Sequence, residues 1–202
     1  MTKIKLCGLT RECDIEAANE QRPDYVGFVF APKSKRYVSH DIALNLKKLL
    51  SPDIKAVGVF VDEKAETVAE LLENGIIDRA QLHGTEDEEY IEKLRKLTDR
   101  PIIKAFRIED SSDVAEAVKS TADYILLDSG AGTGSVFDWE LIKNIERPYF
   151  LAGGLTPENV SEAIEMLHPY AADVSSGIET DGKKDRLKMA KFVAAVRKDD
   201  RI

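Results

Sequence analysis

Short apolar runs rich in Val, Ile, Leu, Phe and Tyr recur along the chain, each followed by a charged stretch with helical spacing. They read "KIKLCG" from Lys3, "YVGFVF" from Tyr25, "KAVGVFV" from Lys55 and "RAQLHG" from Arg79. "PIIKAFR" from Pro101, "DYILLDS" from Asp123, "PYFLAGG" from Pro148 and "AADVSSG" from Ala171 complete the set. Their starts fall every 22 to 30 residues. The intervening stretches carry helix signals. "AETVAELLENG" places Val68, Leu71 and Leu72 on one face, with Gly75 as the residue beyond the helix end. Thr10 stands at an N-cap position behind Cys7 and Gly8, and Thr85 and Glu88 have capping-box spacing. Thr156 and Pro157 predict a cap and first turn, and the last segment puts Leu187, Met189, Ala190 and Val193 on one side.

Strand then helix, eight times over with no hairpin signal, predicts an all-parallel sheet. Eight units close into a (β/α)₈ TIM barrel, here a single domain spanning residues 1–202, near the lower size limit of that fold. The alternative, an open doubly wound sheet, wants a Gly-rich first turn that Gly8 alone does not supply.

Composition narrows the class. With 43% hydrophobic residues the 202-residue chain can build a large core. A formal charge of −8 argues against nucleic acid as a partner. No run approaches the ~18 apolar residues of a membrane span, and the start of the chain lacks an apolar leader. Cys7 and Cys13 make no disulfide framework, which fits a cytoplasmic protein. His40, His83 and His168 are scattered, so no metal is expected.

A parallel barrel carries its active site at the C-terminal ends of its strands. The exits nominate Cys7 with Gly8, Arg36, Asp62, His83, Arg107, Asp128, Gly153 with Gly154, and Ser176 with Gly177. Cys7 is either a buried small hydrophobe or a thiol ionising below its ordinary range to act as base or nucleophile. Cys13, in the first helix, reads as inert packing. Asp128 ends the apolar "YILLD", a place suited to a proton donor as well as to a cap. His83 fits a structural histidine equally well, and Arg36 is either a solvated loop residue or a carboxylate clamp. "AGGLTPEN" and "SSGIETDG" follow strands 7 and 8, where backbone N–H groups and helix N-termini hold phosphate in many barrels. "GAGTGS", Gly130 to Ser135, reads as a mobile cover or a plain loop. The residues therefore describe a barrel enzyme for a phosphorylated small molecule, with a thiol and a carboxylate moving protons.

"KLCGLT", "SKRYVS", "QLHG", "LLDS…GTGSVFDW", "LAGGLTPENV" and "SSGIE…GKKD" together resemble phosphoribosylanthranilate isomerase of tryptophan biosynthesis, over essentially the whole chain. The resemblance implies a (β/α)₈ barrel without cofactor that performs an Amadori rearrangement. It implies Asp128 as general acid, Cys7 as general base, Arg36 facing the anthranilate carboxylate, and Gly153, Gly154, Ser176 and Gly177 as the phosphate cradle. His83 joins the substrate-binding set. "GAGTG" departs from the paired-glycine loop more usual in that family. The related histidine-pathway isomerase is expected to carry aspartate in place of Cys7, and an indole-glycerol-phosphate synthase would need lysine and glutamates at strand exits. A non-catalytic phosphate-binding barrel would lack the acid–base pair. One expectation goes beyond the motifs. Strand alternation puts Lys5 on the face of Cys7 and Asp173 on the face of Ser175, so a buried Lys5–Asp173 ion pair should lie under the thiol and bias it toward thiolate.

Overall fold

The computed structural model describes residues 1–128 and 139–198. Eight parallel strands lie on the eight apolar runs: β1 Lys3–Cys7, β2 Tyr25–Val29, β3 Lys55–Phe60, β4 Arg79–Leu82, β5 Ile102–Arg107, β6 Tyr124–Asp128, β7 Tyr149–Ala152 and β8 Ala171–Val174. They pair in chain order and close, with β8 returning to β1 through the register Lys5↔Asp173. The open-sheet alternative is thereby excluded.

Alternation explains the two layers of the core. On β1, Ile4 and Leu6 pack into the large apolar cluster under the helices, while Lys5 and Cys7 turn into the barrel. Tyr25, Val57, Ile103, Leu126 and Phe150 form the interior cluster. The N-terminal end is plugged by rings: Tyr124 and Tyr170 sit 4.8 Å apart, and the Arg79 guanidinium lies 5.0 Å from the Tyr25 ring and 5.1 Å from the Tyr124 ring. With the bottom filled, access to the interior is from the C-terminal end.

Seven α-helices cover the barrel among the described residues: α1 Glu12–Gln21, α2 His40–Leu49, α3 Ala65–Glu73, α4 Glu88–Arg95, α5 Ser111–Lys119, α6 Val160–Leu167 and α7 Arg186–Lys198. Between β6 and β7 the described segment holds a 3₁₀ turn, Trp139–Ile142, where an eighth helix was expected; the "GAGTGS" loop with Ala131 lies outside the described residues. Gly75 adopts φ +69 just past α3, as its position predicts. Three caps differ from the sequence reading. α1 starts one residue later than Thr10 implies, on Arg11, because Asp14 accepts both the Thr10 and Arg11 N–H groups. Asp87, not Thr85, caps α4 by accepting from Tyr90 N, since the Thr85 hydroxyl is committed to Asp62. Thr156 to Asn159 forms its own turn, in which Asn159 Oδ1 accepts from Thr156 N, so α6 begins at Val160. On α7, Met189 and Val193 are buried, but Leu187 is 73% exposed and off that face. Cys13 is exposed rather than packed. An unpredicted antiparallel hairpin, β9 Glu179–Thr180 with β10 Lys183–Lys184, follows β8; strands of two residues are too short to leave a periodic signal.

Candidate active site

A cavity of about 310 Å³ opens at the C-terminal end of the barrel. Cys7, Arg36, His83, Asp128, Gly153, Gly154 and Ser176 all line it, so seven sequence-nominated residues from six strand exits meet in one place. Gln81, Asp173 and Ser175 line it too. Gly8, Asp62, Arg107 and Gly177, also nominated, do not. Arg107 pairs with Glu109 and is two-thirds exposed. Asp62 accepts from the backbone and hydroxyl of Thr85, a loop brace that holds its pKa below the ordinary carboxylate value. Gly177 stands behind the wall: a Cβ there would meet the Leu155 carbonyl oxygen at 2.0 Å, so its glycine serves close packing of the β8 exit against the β7 exit.

The thiol is fitted by two glycines. A Cβ on Gly27, the β2 partner of Cys7, would come within 2.6 Å of Sγ, so Gly27 leaves the volume that the thiol fills. Gly8 has φ +79, a conformation that disfavours side chains, and a Cβ there would lie 2.4 Å from Arg36 Cδ. The residue after the strand is therefore glycine both for its turn and for the stem of Arg36 that crosses it.

Beneath the thiol lies the predicted ion pair. Lys5 Nζ is 2.7 Å from Asp173 Oδ2 and also donates to Gln81 Oε1 at 2.7 Å, and Lys5 is 0% exposed. Burial opposes the ammonium, but the adjacent Asp173 carboxylate outweighs it and holds the Lys5 pKa above its ordinary value. The expected bias of Cys7 toward thiolate is corrected. Burial pushes the thiol pKa up; Lys5 and Lys184 pull it down without overcoming that desolvation and the nearby Asp173 charge. Ser175 Oγ also donates to the Cys7 carbonyl at 3.1 Å, tying β8 to the end of β1.

Arg36 is held by a partner that sequence reading missed. Its Nε and Nη2 donate to the two carboxylate oxygens of Glu179 at 2.6 and 2.9 Å, and Lys184 Nζ donates to Glu179 Oε1 at 2.6 Å. Burial acts to raise the Glu179 pKa, but the hydrogen bonds from Arg36 and Lys184 bring it down to about 2. Lys184, itself buried, also donates to the Ser175 carbonyl at 2.8 Å. The hairpin of β9 and β10 is what delivers Glu179 and Lys184 here, from "SSGIE…GKKD".

At the opposite side, Gly153 and Gly154 take φ +87 and +68 at the β7 exit. The Asn159 side-chain amide donates to the Gly154 carbonyl at 3.0 Å and braces this turn from α6. Since α6 starts only at Val160, the glycine backbone rather than the helix end borders the cavity. Arg36 is the only Lys or Arg among the described residues that line it.

The family model of N-(5′-phosphoribosyl)anthranilate (PRA) isomerase matches residues 4–195. The N-(5′-phosphoribosyl)anthranilate isomerase of Endomicrobium trichonymphae is 43% identical over 202 residues, covering 98% of this chain and 99% of that protein. The crystal structure of phosphoribosyl anthranilate isomerase from Thermotoga maritima matches with a TM-score of 0.88 at 36% identity, covering 98% of this chain and 100% of that one. A phosphoribosyl anthranilate isomerase in complex with reduced 1-(o-carboxyphenylamino)-1-deoxyribulose 5-phosphate gives a TM-score of 0.86 at 36% identity, with the same coverage.

Proposed function

The chain belongs to the N-(5′-phosphoribosyl)anthranilate isomerase family of tryptophan biosynthesis and is an isomerase; from that premise we propose how its own residues carry the Amadori rearrangement. The observation that carries the assignment is the single cavity where a thiol, a carboxylate, one arginine and a glycine turn meet at the strand exits. Asp128 is the general acid. It protonates the ring oxygen of N-(5-phosphoribosyl)anthranilate as the bond from that oxygen to C1 breaks, opening the ring to a Schiff base. Cys7 is the general base and removes the C2 proton, giving an enolamine that tautomerises to the ketone 1-(2-carboxyphenylamino)-1-deoxyribulose 5-phosphate. Because burial favours the thiol, the working base is the minor thiolate form, which Lys5 and Lys184 stabilise.

Arg36 receives the anthranilate carboxylate. Glu179 engages its Nε and one Nη, fixing the guanidinium plane and leaving the other amino group for the substrate. The phosphate sits on the backbone of Gly153, Gly154 and Ser176, since no lysine among the described residues lines the cavity. Gly177 shapes that cradle from behind. The reaction is redox-neutral and its protons are handled by side chains, so no cofactor enters this scheme. The unpaired thiols of Cys7 and Cys13 suit a cytoplasmic protein whose residues 1–202 act as one barrel domain. The test is the loss of phosphoribosylanthranilate fluorescence on adding the purified protein. Wild type should consume the substrate, whereas Cys7→Ala and Asp128→Ala should each lose about 10² to 10⁴ in kcat with product-analogue affinity little changed. Near-normal kcat in Cys7→Ala would sink the mechanism.

A further inference from the structure

The polar groups under the cavity form one chain. From Asp173 it runs to Lys5 at 2.7 Å, to Gln81 Oε1 at 2.7 Å, from Gln81 Nε2 to His83 Nδ1 at 2.9 Å, and from His83 Nε2 to Asp128 Oδ2 at 3.4 Å. It joins strands β8, β1, β4 and β6, and passes from beneath Cys7 to Asp128. Its direction is set at one end. An ammonium has three donors and no acceptor, so the Gln81 atom facing Lys5 is the carbonyl oxygen. The Gln81 amide nitrogen then faces His83 and can only donate, which requires an unprotonated Nδ1. In the neutral imidazole the single proton is therefore on Nε2, the nitrogen that faces Asp128.

We propose that Gln81 is a positioning residue: it relays the donor polarity of Lys5 to His83, fixing the Nε2–H tautomer and aiming that N–H at Oδ2 of Asp128. The inference rests on the assignment of Asp128 as the general acid. An N–H facing Oδ2 favours that oxygen as the unprotonated one, so the chain biases which oxygen of Asp128 carries the acid proton. At 3.4 Å the two atoms are in electrostatic contact, and the tautomer decides whether a proton lies between them. Gln81 is 1% exposed, so water does not compete for its amide.

The experiment is ¹⁵N NMR of the histidine rings in the substrate-free protein, at a pH where the imidazoles are neutral, with His83 assigned through His83→Asn. Wild type should show a protonated Nε2 and an unprotonated Nδ1. Gln81→Glu keeps the shape but presents a carboxylate oxygen to Nδ1, and should reverse the tautomer to Nδ1–H. It should also lower kcat by about tenfold or more with little change in KM, because the proton facing Asp128 is lost. A wild-type ring carrying its proton on Nδ1 overturns the proposal without any variant. An unchanged tautomer in folded Gln81→Glu overturns it as well. The NMR result is independent of turnover, so a correct tautomer together with a fully active Asp128→Ala would refute the acid assignment and leave the polarity of the chain standing.

Discussion

Replacing Lys5 by methionine removes one member of a pair that is sealed inside the barrel, and the structure sets the scale of the effect. At 2.7 Å two unit charges attract by about 6 kcal/mol for an effective dielectric near 20, and burying each ion costs several kcal/mol. The intact pair is thus close to neutral against apolar neighbours, while a broken one is not. Lys5→Met takes the partner from Asp173 Oδ2, and Asp173 Oδ1 already has no hydrogen-bond partner among the described residues. The expected loss is about 3 to 5 kcal/mol. For a chain of this size each kcal/mol moves Tm by about 2 to 4 °C, so Tm should fall by roughly 6 to 20 °C. Asp173→Leu should cost somewhat less, since the Gln81 carbonyl still accepts from the ammonium. The double variant should cost clearly less than the sum of the two. Urea unfolding at neutral pH followed by circular dichroism, with the slope checked for constancy, measures all four corners of the cycle. Additivity to within about 0.5 kcal/mol would refute the reasoning, because it would mean that neither charge is stranded by loss of the other.

Three further outcomes follow from the site. Glu179 is depressed from 4.5 in the unfolded reference to about 2, so its stabilising contribution is present above pH 4.5 and is lost as pH falls toward 2; acid unfolding of Glu179→Gln should lack that component, and an identical acid profile would contradict the pairing. The Cys7 thiol should titrate above its ordinary 9.0 when followed by thiolate absorbance in a Cys13→Ser background, and Lys5→Met should raise it further; thiolate already present at neutral pH would overturn the burial argument. Gly154→Val should raise KM and weaken inorganic phosphate binding together, because φ +68 disfavours a β-branched residue although a Cβ there meets no atom within 4 Å; unchanged phosphate affinity would move the phosphate elsewhere.

The barrel was legible because each strand announces itself by an apolar run and each exit follows from the strand end. Cys7, Arg36, His83, Asp128 and the Gly153–Gly154 turn could all be nominated by that counting, and they do meet at one cavity. Gln81 and Glu179 could not. Gln81 stands two residues before His83 on the same strand face, but Lys5, 76 residues away, comes beside it only in the folded barrel. Glu179 depends on a hairpin of two-residue strands, below the length at which alternation can be read. The misplaced caps share a cause. Thr85 and Thr156 have the right chemistry for a cap, but the Thr85 hydroxyl goes to Asp62, and that of Thr156 accepts from Glu158 N within a turn that precedes α6. The ionisation of Cys7 was misjudged because sequence shows the neighbouring charges but not how completely water is excluded.

The meeting of Lys5 and Asp173 also has a bearing on how the molecule is made. The two residues stand 168 positions apart, across the seam where the last strand finds the first. During synthesis the opening strand emerges with an ammonium that has no buried counterpart until β8 has followed it out of the ribosome. Before that, Gln81 can accept from the ammonium but no carboxylate balances its charge, so burial of β1 is favoured only on closure. Contacts this distant along the chain form slowly. The thiol of Cys7 rides on the same strand, and its protected surroundings come into being with the closing of the barrel rather than with the forming of its own strand.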